Sequence, residues 1–369
     1  MRISPTTIMI LSLVVFSHYN GTELVIELFR HGARFPKEKM HESGPLSRES
    51  AMDLSITGMR NQFFLGSLTR KKFSYFFVNS VKPNNTHILV SSTNRTVSSA
   101  IANFLGISQT CFESETPMIR SLWTPPNVNN FRVFIDSCSL PKKIGFHPLD
   151  IQGKNSNFIF HTRKACPLIE ARYNKSVTQT IKDLKGKFHA SYSVFEKLGY
   201  DPRNLFQDKQ WNTKNLFEFL DSFRCHMFNS PSLEWTYESR LHMEVLLAIK
   251  TFARTRNAEL RRVRLFSLYR DWQQKIENFL DSKGNSPKLV LYSGHDGNLS
   301  LVLYDLFGKS DLACMTKQYQ IHLQGKRISS REDYIRKIHS ILSSGCFWFI
   351  PFASSISIEV FQIQKVRSI

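Results

Sequence analysis

No two of the six cysteines form a C-x-x-C pair, which argues against a zinc knuckle or ribbon. After the first twenty residues no apolar run approaches the ~20 residues needed to span a bilayer. Helix-turn-helix, zinc-finger and RNP patterns are absent, so nothing specific accompanies the basic character toward nucleic acid. Acidic residues are scarce, 30 Asp+Glu against 49 Lys+Arg, for a net charge of +19. A surplus of that size favours acidic partners, phosphorylated molecules among them. The positives are dispersed. Their densest groups, Arg70-Lys71-Lys72 and Arg261-Arg262-Val263-Arg264, read as solvated helix faces.

What is present begins with Arg2 and an apolar run from Ile8 to Phe16. It is too short to span and reads as a signal peptide over residues 1–19, with a buried strand or an anchor as alternatives. An oxidising compartment then suits disulfides among Cys111, Cys138, Cys166, Cys225, Cys314 and Cys346, whose connectivity spacing does not reveal. Sequons at Asn20, Asn84 and Asn174 fit a secretory route. Those at Asn94 and Asn298 lie beside the candidate site, where a glycan does not fit. The expected location is secreted, or a lysosomal or vacuolar lumen.

Three times an apolar run is followed by a polar turn and a helical pattern. Leu24 to Leu28 leads into Phe29-Arg30-His31-Gly32-Ala33-Arg34-Phe35-Pro36, and then Met59 to Leu68 with Thr57 as N-cap. Ile88 to Val90 leads into Ser91 to Arg95, and then Thr96 to Leu105 with Gly106 as stop. Lys288 to Tyr292 leads into Ser293-Gly294-His295-Asp296-Gly297, and then Asn298 to Phe307. Residues 116–148 read as loops and 151–272 as mostly helical, with the charges of Tyr237 to Phe252 and Ala258 to Phe279 read as surface decoration. Ser354 to Gln362 alternates as a strand.

Such repeats predict an α/β fold. Its strands' C-terminal ends and helix N-termini gather ligands, and helix N-termini favour anions. Arg30, His31, Arg34, Arg95, His295 and Asp296 are thereby expected around one anion. Arginine forks match phosphoryl oxygens, an imidazole can attack phosphorus, and a carboxyl can protonate the leaving oxygen.

The loop at Arg30 to Pro36 resembles the R-H-G-x-R-x-P signature of the histidine acid phosphatases. His295-Asp296 is similar to that family's H-D pair. Arg95-Thr96 with Ser99-Ala100 is similar to the end of its S-T-D-x-x-R-T-x-x-S-A segment, and Leu54 to Asn61 to its L-T-x-x-G-x-x-Q helix start. Residues 352–362 look like its closing strand. The resemblance implies a three-layer sandwich around a mostly parallel sheet, formed by residues 20–108 and 287–369. A mostly helical cap would span 109–286.

It further implies an acid phosphatase with His31 as nucleophile and Asp296 as proton donor. Arg30, Arg34, Arg95 and His295 would hold phosphate. No metal or cofactor is implied, because guanidinium groups supply the charge. Small phosphorylated substrates are the expected partners, nucleic acid is not, and a homodimer is compatible. Phytase activity and a catalytically weak phosphate binder stay open as alternatives. A phosphoglycerate mutase, which shares the R-H-G loop, fits poorly with the signal peptide and the H-D pair.

Three departures stand out. Aligned back from Arg95, Ser92 replaces the family's aspartate and Arg95 loses an orienting carboxylate. Gly297 stands where a hydroxyl residue is usual. The chain ends at Ile369, soon after its closing strand.

Overall fold

In the computed structural model of the chain, one sheet contains β1 (Leu11–Ser12), β2 (Thr22–Arg30), β3 (Thr86–Ser91), β4 (Leu149–Gln152), β5 (Leu289–Gly294) and β6 (Ser355–Phe361). The structure describes residues 11–12, 22–37, 51–77, 85–108, 147–153, 157–184, 213–229, 236–282, 286–308, 311–323, 328–346, 350 and 352–361. The rest of the expected signal peptide, Cys111, Cys138, and the sequons at Asn20 and Asn84 lie outside them.

Strand order is β1-β6-β2-β5-β3-β4. The pairs β2/β5, β5/β3 and β3/β4 are parallel, while β6 runs antiparallel to both β2 and β1. The sheet is thus mostly parallel and inserts β5, late in the chain, between β2 and β3.

The apolar runs are continuous because both faces of the sheet are covered. Leu24, Ile26 and Leu28 of β2, with Val290 and Tyr292 of β5, face one layer. Val25 and Phe29, with Leu289 and Leu291, face the other. Successive side chains alternate across a strand, so one run feeds two cores.

Helices follow in chain order: α1 (Ile56–Lys72), α2 (Ser74–Phe77), α3 (Asn94–Ser108), α4 (Thr162–Ala165), α5 (Pro167–Leu184) and α6 (Thr213–Asn229). Then come α7 (Tyr237–Thr255), α8 (Ala258–Asp281), α9 (Asp296–Leu306), α10 (Leu312–His322) and α11 (Arg331–Ser343). Ala100, Phe104 and Ile107 of α3 cover one face of the sheet, beside which α1 packs. Leu265, Leu268 and Trp272 of α8, with Leu299 and Val302 of α9, cover the other. Two elements from the 109–286 stretch, β4 and α8, therefore belong to the sandwich itself.

A separate core joins α6, α7, α10 and α11 through Phe223, Leu246, Phe252, Met315 and Ile341. Cys314 and Cys346 are disulfide-bonded, while Cys166 and Cys225 are free.

Several local expectations are corrected. Ser55, not Thr57, caps α1, its hydroxyl accepting from Gly58 N at 3.1 Å. Gly106 does not stop α3; it lies inside it, because α1 crosses there. A Cβ on Gly106 would stand 2.1 Å from Phe63 O, and one on Gly66 would stand 2.0 Å from Asn103 O. Ile151 and Gln152 form an edge strand rather than opening a helical stretch. Glu244 and Arg261 are not surface decoration. Glu244 is buried on α7 and accepts from Arg224 at 2.5 Å. Arg261 is buried on α8, donates to Thr255 O at 2.6 Å and lies 3.3 Å from Asp305.

Candidate active site

The C-terminal ends of β2, β5 and β3 lie side by side, with Arg30 of β2 in register with Gly294 of β5. His31 follows β2. Its N–H donates to Gly294 O at 3.1 Å, and its carbonyl accepts from Ala353 N at 3.2 Å. The loop is therefore clamped by the strands on both sides of β2.

Gly32 is required by a close approach. A Cβ there would lie 2.1 Å from Gly58 O at the start of α1, so the glycine admits a helix backbone. Gly32 N donates to Ser99 Oγ on α3 at 3.1 Å. Gln62 Nε2 of α1 donates to Arg30 O at 2.7 Å. Both flanking helices thus fix the loop.

His31 is 3 % exposed. Its Nδ1 lies 2.8 Å from Gly32 O, an acceptor only, so Nδ1 carries the proton and Nε2 the lone pair. Burial drives its pKa well below the ordinary 6.5, and Arg30, His295 and Arg95 reinforce this. Its ring centroid stands 5.6 Å from that of His295.

Arg30 is buried, stacked 4.1 Å over Phe352, and donates to Ile350 O at 2.5 Å. Burial brings its pKa down to about 10, as it does for Arg95. Arg34 pairs with Asp221 on α6 and donates to Phe35 O at 2.9 Å. Its carbonyl accepts from Asn229 Nδ2 at 2.8 Å. Burial opposes the Arg34 charge, but Cys225 and Asp221 outweigh it.

Among the described residues, Arg30 Nε, Arg95 Nε and Ser92 Oγ are buried without a hydrogen-bond partner. The last two are what the missing aspartate before Arg95 would leave.

His295 and Asp296 begin α9. Asn298 Oδ1 accepts from His295 N at 3.0 Å, and Asn298 Nδ2 donates to Phe160 O at 3.2 Å. With Asn298 6 % exposed, that sequon is closed. Burial pushes the Asp296 pKa up, but Arg30, Lys250 and Arg254 outweigh it and hold the carboxyl well below its usual range. Gly297, the second departure, leaves open space where a Cβ would stand.

Sequence reasoning missed a bridge beside this pair. Ser91 Oγ lies 2.7 Å from His161 Nε2 and 2.9 Å from His295 Nε2. A hydroxyl has one proton, so it donates to one imidazole and accepts from the other. The two histidines thereby hold opposite tautomers at those nitrogens. Asp221, Arg224 and Lys250, which surround the site from α6 and α7, were missed as well. Ser91 opens the turn already singled out. The others lie in a helical stretch with no motif, where spacing says nothing about partners.

The sequence profile of the histidine phosphatase superfamily, branch 2, matches residues 46–368. The chain belongs to that family. It is a phosphoric monoester hydrolase of the acid phosphatase group, with small phosphorylated substrates. The match begins after the Arg30–Pro36 loop, so the loop adds to it independently.

Mouse prostatic acid phosphatase is 24% identical over 302 residues, covering 75% of this chain and 68% of its own length. The rat prostatic acid phosphatase is 23% identical over 305 residues, with the same coverage. Among solved structures, a Klebsiella phytase superposes with a TM-score of 0.56 at 12% identity, over 92% of this chain and 78% of that one. The Citrobacter braakii phytase gives 0.52 at 13%, over 78% and 75%. These structures support the α/β fold. Among the described residues no helix is long and apolar enough to cross a membrane.

Proposed function

We propose that this phosphatase hydrolyses phosphate monoesters through a phosphohistidine on Nε2 of His31. The observation that carries the reading is the Nδ1–Gly32 contact, which leaves Nε2 unprotonated in a cluster of arginines. Arg30, Arg34, Arg95 and His295 hold the phosphoryl oxygens, each guanidinium presenting a planar fork. The Nε2 lone pair attacks phosphorus, the ester P–O bond breaks, and the leaving oxygen takes a proton from Asp296. Water then attacks phosphorus and gives a proton to the Asp296 carboxylate; the P–N bond breaks, its electron pair returns to Nε2, and phosphate leaves His31.

Acidic conditions suit this site. Imidazole ordinarily gains a proton below 6.5, but the depressed His31 stays a nucleophile there. Asp296 is ionised in the free site. A phosphate dianion or monoanion bound among Arg30, Arg34 and Arg95 offsets the cations that depress it, and so raises its affinity for the proton it delivers. A monoester, whose second pKa is about 6, brings that proton itself at acid pH.

A secretory location, with glycan at the exposed Asn174, accords with the chain's N-terminal pattern. The deciding experiment is alkaline-quench trapping with 32P-labelled substrate, since the P–N bond is labile in acid and stable in alkali: label on His31, absent in His31→Ala, supports the mechanism. A stoichiometric burst without histidine label overturns it.

A second reading rests on the unpartnered Ser92 Oγ and Arg95 Nε. The protein would grip phosphorylated ligands with little turnover, and vanadate binding without hydrolysis would favour it.

A further inference from the structure

A second carboxylate stands at the arginine cluster besides Asp296, and the reaction just described gives it no part. Asp221 on α6 pairs with Arg34. We propose that Asp221 accepts a hydrogen bond from the P–OH of the bound phosphoryl group, so that the site selects singly protonated phosphate monoesters over dianions and over anions with no proton to give. The proposal rests on the reading that Arg30, Arg34 and Arg95 hold the phosphoryl oxygens.

One stripe of α6 places Asp221 there. Glu218, Asp221, Cys225 and Asn229 recur three or four residues apart, so they share a helix face. That face meets the loop after β2 at each step. Glu218 accepts from Lys37 at 3.1 Å, Cys225 packs with Ala33, and Asn229 Nδ2 donates to Arg34 O at 2.8 Å. Arg224 of the same helix donates to Ile350 O at 3.3 Å, the carbonyl that also takes Arg30. A docked helix thus fixes the carboxylate before any ligand arrives, which lowers the ordering penalty of binding. The Asp221 side chain is 25 % exposed against 6 % for Arg34, so an incoming group can reach it. A carboxylate has about four lone-pair sites, and the Arg34 bond uses one.

A carboxylate among these arginines discriminates by the ligand's proton. The charged and titratable groups that face it are Arg34 from the loop, Arg30 from β2, Arg95 from α3, Lys250 from α7, Asp296 from α9 and Cys225 from its own helix. Burial pushes the Asp221 pKa up, but Arg34 and Lys250 outweigh it and hold the carboxyl below its ordinary range. Asp221 therefore stays an acceptor at acid pH. A monoester below its second pKa, about 6, carries one P–OH, which donates to Asp221 while Arg34 donates to a neighbouring oxygen. Above that pH the ester offers acceptors only, and an oxygen set against the carboxylate is repelled. Asp296 does not take this bond, because it carries its own proton when it serves as the donor.

The test is calorimetric Kd values for inorganic phosphate and sulfate on the wild-type enzyme, at pH 5.0 and 8.5. Sulfate is an unprotonated dianion at both, so its change with pH reports the protein's own groups, and the phosphate-to-sulfate ratio reports the ligand's proton. Phosphate should bind about tenfold tighter than sulfate at pH 5.0, as one charge-assisted hydrogen bond provides, and lose most of that advantage at pH 8.5. In Asp221→Asn the ratio at pH 5.0 should fall toward one, because an amide also donates to sulfate. Glu218→Gln, one turn away, should retain the wild-type ratio. A wild-type ratio near one at pH 5.0, a ratio unchanged at pH 8.5, or a high ratio that Asp221→Asn keeps overturns the proposal. An equal loss in Glu218→Gln overturns it too, since overall charge would then be the cause. The wild-type comparison decides even where Asp221→Asn does not fold. If the wild type binds both anions alike, the arginine cluster stands as a phosphate site and only the role of Asp221 falls; if it binds neither, both readings fail.

Discussion

Lowering the pH through the histidine range shows whether His31 is held neutral. In the unfolded chain its imidazole takes a proton as pH falls through about 6.5. In the folded protein, burial together with Arg30, His295 and Arg95 keeps that proton off. Below 6.5 the unfolded state therefore binds more protons, and stability falls as pH falls. The slope for one such group is about 1.4 kcal/mol per pH unit, continuing until the depressed native value is reached. His31 is 3 % exposed, so solvent screening takes little from this figure. His295 and His87, both depressed mainly by burial, add slopes of the same sign but are more open. The Glu27 carboxyl, raised by burial, contributes the opposite sign above its unfolded value. These contributions are shared by wild type and His31→Gln, so their difference isolates the nucleophile. Urea unfolding of both proteins at pH 7.5, 6.5, 5.5 and 5.0, without phosphate, is the assay. The wild type should lose about 1.4 kcal/mol more than the variant for each unit below 6.5. Parallel pH profiles would mean that His31 protonates in the native state, and the argument for a free nucleophile at acid pH would fail.

Asp296→Ala should impair alkyl phosphates by about 10²–10⁴-fold and p-nitrophenyl phosphate far less, since that leaving group needs little protonation; equal losses in kcat would remove Asp296 as the acid. Ser91→Ala leaves His161 and His295 without their shared hydroxyl. Phosphate inhibition should weaken about tenfold, and 15N shifts of both imidazoles should move together; an unchanged His295 spectrum would refute the coupling. Glu244→Gln strips the carboxylate from buried Arg224, and the loss should approach about 3–5 kcal/mol in denaturant titration. A change below 1 kcal/mol would show that the pair is solvated.

Legibility divided along the line between local and distant information. The strand-turn-helix units were readable because each apolar run ends in a polar turn within a few residues, and β2, β3 and β5 lie where those runs stand. Arg30, His31, Arg34, Arg95, His295 and Asp296 were readable as short patterns at strand ends. Arg34's partner was not, because Asp221 belongs to a helix in a different core. Gly106 read as a stop because a glycine signals helix termination equally well as helix crossing; only the nearness of Phe63 O distinguishes them. Glu244 and Arg261 read as solvated because an amphipathic pattern gives no sign of a second packed face. On α7, Leu241 to Lys250 are all buried. β4 is short and at the edge, below the length at which alternation is informative.

The insertion of β5 between β2 and β3 also sets a timetable. Val25 pairs with Leu289, and Thr86 pairs with the same residue from the other side. During synthesis β2 and β3 emerge early and wait, with their facing edges unfilled, until nearly four-fifths of the chain exists. Closing so long a loop is slow, and waiting strands are prone to aggregate. The nascent protein is therefore at its most vulnerable well before it can hydrolyse anything, and dependence on chaperones should end with the arrival of β5. A two-piece version cut between α8 and β5 would test this, since adding the piece that carries β5 should restore folding and activity together.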